Sequence, residues 1–176
     1  MNKKITLIIF ILINIIIANQ KIIIPMDAKQ TNHLKAYGVA YSYLQNGYKV
    51  EWLLNYRGGS FLLDISNSLK RNCQLKGVTY EELNVEAISI IFSTIEEYNM
   101  EIILLEKPPK IAVYSPPNKQ PWDDAVTLAL TYAEIKYDII FDDEIMNDKL
   151  NQYDWLHLHH EDFTGQYGKF YKYRNK

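Results

Sequence analysis

Short continuous apolar runs alternate along this chain with stretches whose apolar residues recur at helical spacing. This alternation predicts the order of strands and helices. Short apolar runs typical of buried strands lie at 21–25, 48–54, 110–114 and 137–141. Apolar residues recur at helical spacing over 34–44 and 125–132. Further helices are expected at 67–75 and 80–98 and further strands at 100–105 and 155–159, whereas 61–63 fits either a strand or part of a turn.

The order of the predicted elements repeats along the chain. The pattern KIII, KQ, helix, GYKVEWLL in the first half matches KIAV, KQ, helix, KYDIIFDD in the second, about ninety residues later. Each pattern is typical of a βαβ unit, and strands that alternate with helices favour a parallel sheet. We therefore predict one α/β domain over residues 21–176, made of two βαβ-like halves at about 21–105 and 110–176. Its sheet would be mostly parallel with helices on both faces, as in Rossmann and flavodoxin-like folds.

The amino terminus predicts export. Asn2-Lys3-Lys4 form a short basic region, and Ile5 to Ile17 is apolar at all but two positions. An apolar stretch of about thirteen residues is typical of a signal peptide and is shorter than the roughly 20 that span a bilayer. An uncleaved anchor is the alternative, because Ile22–Ile24 prolong the apolar character past Lys21. We expect residues 1–20 to be a signal peptide and the mature chain to be periplasmic or secreted, meeting the membrane only during export.

The composition limits the classes of function. Of the 176 residues 48% are hydrophobic and 23% charged, which suits a packed globular core. The net charge is −2 and no basic block occurs, so nucleic-acid binding is not expected. Cys73 is the only cysteine, which excludes an intramolecular disulfide and a cysteine metal cluster. Lys70 and Arg71 would lower the pKa of a thiol, but no strand–turn–helix elbow surrounds Cys73, so we predict a passive thiol.

The densest group of titratable side chains lies between Trp155 and Phe170. Three of the four histidines fall here and two acids follow at once: His157, His159, His160, Glu161 and Asp162. Leu156 and Leu158 alternate with the first two histidines as on a strand, so those two imidazoles would point the same way, about 6–7 Å apart. Three interpretations stay open: a hydrogen-bonding cluster that orders the strand end, a divalent metal site, or general acid–base catalysis.

Ligands of open parallel sheets bind at the carboxyl ends of the strands, and this rule gives a binding site its location. The loops expected at that edge supply the following candidate ligand-binding residues: Asp27, Lys29, Arg57, Gly58, Gly59, Ser60, Asn118, Lys119, Gln120 and Asp162. In 57–60, small residues would let backbone amides approach an anion while the arginine adds a fork of donors. A plain glycine turn with a surface arginine is the alternative. Asp142-Asp143-Glu144 is interpreted as a solvated strand exit.

Four segments together resemble a known family: IPMDAKQTNHLKAYGVAY (24–41), VEWLLNYRGGSF (50–61), KIAVYSPPNKQPWDDAVTLALTYAEI (110–135) and YDWLHLHHEDFTGQYGKF (153–170). They are similar to exported Bacteroidetes proteins often labelled "asparagine synthetase B", a family without an established function. The resemblance covers nearly all of the mature chain. It implies a fold like that of the class I glutamine amidotransferases. Family members are longer, so it also implies that this chain is an amino-terminal portion and that the remainder of a longer parent chain is missing.

The residues themselves do not support the label. A glutamine-dependent asparagine synthetase needs a cysteine at its mature amino terminus, and here Asn2 follows Met1. Its ATP site needs an SGGxDS loop, which Gly58-Gly59-Ser60 does not match. A class I amidotransferase needs a G-x-C-x-G elbow, and the residues around Cys73, RNCQL, are not one. No catalytic residue is therefore carried over from the family.

Three functional hypotheses result from the sequence. The leading one is an exported α/β domain that lacks the amidotransferase nucleophile and binds a small-molecule or cell-envelope ligand. The rival is a hydrolase that uses His157, His159, His160 and Glu161, with or without a divalent metal; no other cofactor is predicted. The third is literal asparagine synthesis, which the missing motifs disfavour.

Overall fold

The computed structural model describes residues 20–115 and 125–158. The predicted signal peptide up to residue 19, the candidates Asn118, Lys119 and Gln120, and everything from His159 onward lie outside the described residues. The described chain clusters into two compact units, one comprising 20–108 with 133–135 and the other comprising the rest. The boundary at 108 falls in the Lys107-Pro108-Pro109 segment.

The described part of the first unit is an antiparallel sheet with helices. Its strands are β1 (Lys21–Ile24), β2 (Val50–Leu54), β3 (Ser60–Asp64), β4 (Glu81–Leu83) and β5 (Glu101–Leu105). Its helices are α1 (His33–Gln45), α2 (Asn67–Lys76) and α3 (Val85–Glu97). A 3-10 turn, Tyr56–Gly58, joins β2 to β3. The strand order is β4-β1-β3-β2-β5, and every neighbouring pair is antiparallel.

The prediction of one mostly parallel sheet, Rossmann- or flavodoxin-like as in the class I glutamine amidotransferases, is therefore wrong, because the larger sheet is antiparallel throughout. β1 and β2 do run in the same direction, as a βαβ unit requires, because both pair antiparallel with β3. The segment 61–63, which the sequence analysis assigned to either a strand or a turn, belongs to β3, the central strand of the sheet. A five-residue turn returns the chain directly beside β2, whereas a parallel neighbour would need a crossover of a dozen or more residues.

Both faces of the five-stranded sheet are buried under helices. On one face Ile22, Ile24 and Leu63 pack against α1 and α2. On the other face Ile23, Leu53 and Leu62 pack against Ile91 and Ile95 of α3. Burying an aliphatic side chain of this size contributes about 1.5–3 kcal/mol, so the two clusters dominate the stability of the unit. The continuous apolar runs in the sequence thus arise because these strands are buried on both faces of the sheet. They do not indicate that neighbouring strands are parallel.

Local signals place the ends of α1 where the sequence indicates. The side chain of Asn32 caps the helix, because it accepts a hydrogen bond from the Lys35 amide at 3.1 Å. After the helix Gly47 has φ +82, and its amide donates to the Leu44 carbonyl at 2.9 Å. Helix α1 is therefore bounded on both sides.

The described part of the second unit is a small parallel sheet. Its strands are β6 (Ile111–Tyr114), β7 (Asp138–Ile140) and β8 (Trp155–Leu158), in the order β7-β6-β8. Between them lie α4 (Ala125–Ala133), α5 (Asp142–Met146) and a 3-10 turn (Lys149–Gln152). Since β6 pairs parallel with both neighbours, the carboxyl ends of all three strands lie at one edge. In the described ranges no helix combines the length and apolar character needed to cross a bilayer.

Candidate functional site

Two of the loops that carry predicted ligand-binding residues meet at one end of the first sheet. Asp27 and Lys29 follow β1, and Arg57 lies in the turn after β2. β1 and β2 run in the same direction, so their carboxyl ends lie together. β4 is antiparallel to β1 and therefore begins at this end, which brings its first residue, Glu81, beside the loops. We call Asp27, Lys29, Arg57 and Glu81 the arginine cluster.

Arg57 lies between the two carboxylates of the cluster. Its Nε donates to Asp27 Oδ2 at 2.8 Å, and its two terminal nitrogens donate to the Glu81 oxygens at 3.1 and 2.9 Å. Lys29 Nζ lies 4.0 Å from Glu81 Oε1. The Arg57 side chain is 21% exposed whereas that of Lys29 is 72% exposed. Arg57 is thus the anchored cation of the cluster, and Lys29 is the accessible one.

The ion pairs shift the pKa values of their members. The hydrogen bond from Arg57, helped by the Lys29 amide, holds the pKa of Asp27 below its ordinary value of 3.8. The two carboxylates, Glu81 foremost, raise the pKa of the Arg57 guanidinium. Both shifts favour the charged forms, so the cluster is an ionic one at neutral pH.

The turn that carries Arg57 has an uncommon backbone. Asn55 (φ 64) and Arg57 (φ 47, ψ 48) both adopt left-handed conformations, as do Gly58 (φ 81) and Gly59 (φ 91). A non-glycine residue in this region costs about 1–2 kcal/mol. The ion pairs of Arg57 and a 3.1 Å hydrogen bond from the Met26 amide to the Arg57 carbonyl oppose that cost.

The small residues of the turn have structural contacts. A Cβ on Gly58 would lie 2.4 Å from the Met26 carbonyl oxygen, so only glycine lets the turn approach the exit of β1 this closely. The Gly59 carbonyl accepts from Trp52 Nε1 at 3.0 Å. Ser60 is buried, and its hydroxyl lies 3.1 Å from the Tyr56 carbonyl oxygen. The sequence left an anion cradle and a plain glycine turn open for these residues, and their contacts are those of a close-packed hairpin.

Sequence reasoning missed two members of the site. Glu81 fell inside the predicted helix 80–98, although the helix begins only at Val85 after the short strand β4. Gln30 is 5% exposed; its amide nitrogen donates to the carbonyls of Pro25 and Thr79, and its oxygen accepts from the Thr79 amide. These three bonds tie the exit of β1 to the entrance of β4 and so position Glu81. A buried glutamine inside a polar loop gives no periodic signal.

The described part of the histidine run lies in the second unit. His157 is half-buried on β8, opposite Val113, with its ring 6.5 Å from that of Trp155. At the carboxyl edge of the same sheet the Tyr114 hydroxyl donates to Asp142 at 2.7 Å. The remaining members, His159, His160, Glu161 and Asp162, lie outside the described residues. Among the described residues, no three His, Cys, Asp or Glu side chains are grouped to hold a metal ion.

Cys73 lies on the buried side of α2. It is fully buried in the cluster beneath α1 and α2, and burial raises the pKa of its thiol to about 11. The basic side chains of Lys70 and Arg71 therefore do not activate it. The buried side chain of Cys73 is therefore a protonated thiol at neutral pH and not a reactive thiolate.

Comparison with family models, curated proteins and solved structures finds no match to this chain. The resemblance to the family labelled "asparagine synthetase B" therefore stays a prediction.

Proposed function

We propose that the chain is a binding module and that the arginine cluster holds a small polar ligand that is part of a cell-envelope component. One observation carries the proposal. Arg57 occupies a left-handed conformation with its guanidinium held between two carboxylates at the rim of the sheet. Backbone strain of this kind persists where surrounding contacts over-determine it, and it gathers at binding sites because it pre-arranges polar groups.

The charges of the cluster favour one class of ligand. Asp27 and Glu81 are 30% and 39% exposed and keep unused oxygen lone pairs, while Lys29 presents an exposed ammonium. Two cations thus face two carboxylates, and a strongly charged ligand of either sign would be repelled by one pair. Hydroxyl and amide groups, which both donate and accept, fit this array. Saccharides and short peptides of the cell envelope carry such groups, and the predicted signal peptide would bring the chain to them.

The other two hypotheses gain no support from the described residues. The hydrolase depends on His159, His160 and Glu161, which lie outside them. Asparagine synthesis needs a pyrophosphate loop, and the glycines of the only similar sequence, Gly58 and Gly59, close a hairpin.

The proposal is tested by titrating the isotope-labelled chain with N-acetylglucosamine and with short uncharged peptides that are acetylated and amidated at their ends, followed by NMR. We expect saturable shifts of the Arg57 Nε–H and of the amides of Asp27 and Lys29 with at least one of these probes. Lys29→Ala removes the accessible donor and should weaken that binding about tenfold, since a hydrogen bond to a charged group contributes about 1.5–3 kcal/mol.

The matched control is Lys49→Ala, because Lys49 is an exposed lysine paired with Glu106 at the opposite end of β2. Its substitution should leave the binding unchanged. The proposal fails if no probe produces a saturable shift at the cluster, or if both lysine variants weaken binding equally.

A further inference from the structure

An exposed aromatic side chain of α1 lies close to the arginine cluster. His33 is the first residue of the helix, and its ring Nε2 lies 3.1 Å from the carbonyl oxygen of Met26, which directly precedes Asp27. Tyr37 follows His33 by four positions, so the two side chains lie on one face of α1 with their Cβ atoms about 5–6 Å apart. Tyr37 is thus one helical turn from the point where α1 contacts the loop of the cluster.

Tyr37 belongs to a group of three packed aromatic rings. Its ring meets that of Phe61 edge to face, with the centroids 5.5 Å apart and the ring planes at 75°. Phe61 also packs against Trp52, with 6.4 Å between their centroids. The Trp52 Nε1 donates to the carbonyl of Gly59, so the group is attached to the turn that carries Arg57. The aromatic rings and the ion pairs are therefore held by the same segment of backbone.

Tyr37 is the accessible member of this group. Phe61 is buried, whereas Tyr37 is 43% exposed. A single neighbouring ring covers at most one face of another, so Phe61 leaves at least one face of Tyr37 uncovered. An aromatic ring that is held by its neighbours but open on one face loses little conformational freedom when a ligand stacks on it.

We propose that the ligand of the arginine cluster is a saccharide of at least two rings, with one ring at the cluster and the next stacked on Tyr37. The inference rests on the proposed function, because the cluster must bind the first ring. A pyranose has hydroxyl groups around its rim and C–H groups on its faces. The hydroxyls match the mixed charges of Asp27, Lys29 and Glu81, and the C–H groups are attracted to the negative face of an aromatic ring.

The sheet edge beside the cluster disfavours a peptide as the ligand. An extended peptide is commonly bound as an added strand at an exposed sheet edge. β4, which begins with Glu81 of the cluster, is an edge strand of the described sheet, but it has only three residues, of which two are glutamates. Short, charged edge strands resist such pairing. A saccharide needs no strand edge, and it uses both the polar groups and the exposed ring.

Titration of the full isotope-labelled chain with N-acetylglucosamine and with its disaccharide, diacetylchitobiose, followed by NMR, tests the inference. We expect the disaccharide to bind about tenfold more tightly, because its second ring gains the aromatic contact and buries further apolar area. Tyr37→Ala should abolish this advantage and leave the affinity for the monosaccharide unchanged. Tyr37→Phe should keep the advantage, since stacking uses the ring and not the hydroxyl.

The matched control is Tyr48→Ala. Tyr48 is an exposed tyrosine that also packs against another aromatic ring, that of Tyr43, at 4.7 Å between centroids. It precedes β2, whereas Arg57 follows that strand, so its substitution should leave both affinities unchanged.

The outcomes separate this inference from the proposed function. Equal affinities of the wild-type chain for the two saccharides, or an advantage that survives Tyr37→Ala, would overturn the stacking of a second ring and leave the binding site at the cluster standing. Saturable binding of the blocked, uncharged peptides without binding of either saccharide would do the same. Loss of the monosaccharide in both Tyr37 variants would show that Tyr37 shapes the cluster instead of stacking, which also overturns the inference. A chain that binds none of these probes refutes both proposals.

Discussion

Gly58→Ala tests how the turn after β2 reaches its place. Gly58 and Gly47 have nearly the same positive φ, +81 and +82. Their surroundings differ: a Cβ at Gly58 would lie 2.4 Å from the carbonyl oxygen of Met26, and a Cβ at Gly47 would have no heavy atom within 4 Å. The two alanine substitutions therefore share a backbone cost and differ in one steric contact.

The two costs are readily separated. The left-handed conformation costs an alanine about 1–2 kcal/mol, and the loss of unfolded-state freedom offsets about 0.4–1 kcal/mol of it. Gly47→Ala should therefore lower the free energy of unfolding by at most about 1.6 kcal/mol. At Gly58 the new methyl group must also displace backbone of the β1 exit, and overpacking typically costs a further 1–3 kcal/mol or so. We expect a total of about 1–5 kcal/mol at Gly58.

Urea denaturation followed by circular dichroism measures both changes, and amide hydrogen exchange localises them. The Met26 amide, which donates to the Arg57 carbonyl at 3.1 Å, should exchange faster in Gly58→Ala and not in Gly47→Ala. If the two variants lost the same stability, the close approach between the turn and β1 would not matter, and the packing argument would be refuted.

Two further experiments test the charge of Asp27 and the burial of the Cys73 thiol. Asp27 has a lowered pKa, so its carboxylate stabilises the folded chain above the unfolded-state pKa, and this contribution is lost as the pH falls through the folded-state value. Asp27→Asn should therefore lower stability at neutral pH and reduce the further loss on acidification, as urea denaturation at both pH values would measure; an unchanged pH dependence contradicts the role of Arg57. Cys73 should react with Ellman's reagent slowly in the folded chain and fast in urea, because burial raises its thiol pKa to about 11. A fast reaction of the folded chain would contradict its burial.

The sequence predicted most elements of the first unit but not the direction of its neighbours. The predicted buried strands 21–25 and 48–54 and the predicted helix between them correspond to observed elements. The hydrophobic pattern indicates which faces of a strand are buried, but it carries no information on strand order. Two strands that run in the same direction with a third inserted between them therefore have the same pattern as an ordinary βαβ unit. The turn NYRGGS was the overlooked signal, because a few residues with glycine between two apolar runs favour a hairpin.

The location of the candidate site was partly predictable, although the order of the strands was not. β1 and β2 do run in one direction, so the loops after them share an end of the sheet whatever lies between. Glu81 was not predictable, because a three-residue strand next to a helix start has too few positions to show a period of two. Gln30 fixes it in place through contacts with Pro25 and Thr79 that only the folded chain brings together.

Arg57 joins the fold to the proposed function. Its left-handed backbone costs about 1–2 kcal/mol, and its three hydrogen bonds to Asp27 and Glu81, each worth about 1.5–3 kcal/mol with a charged partner, exceed that cost. A ligand that displaced either carboxylate would remove this compensation and leave the strain. Binding is therefore favourable only for a ligand that uses the remaining lone pairs and the exposed Lys29 while the ion pairs stay intact. Hydroxyl and amide groups meet that condition, and a competing carboxylate or phosphate does not.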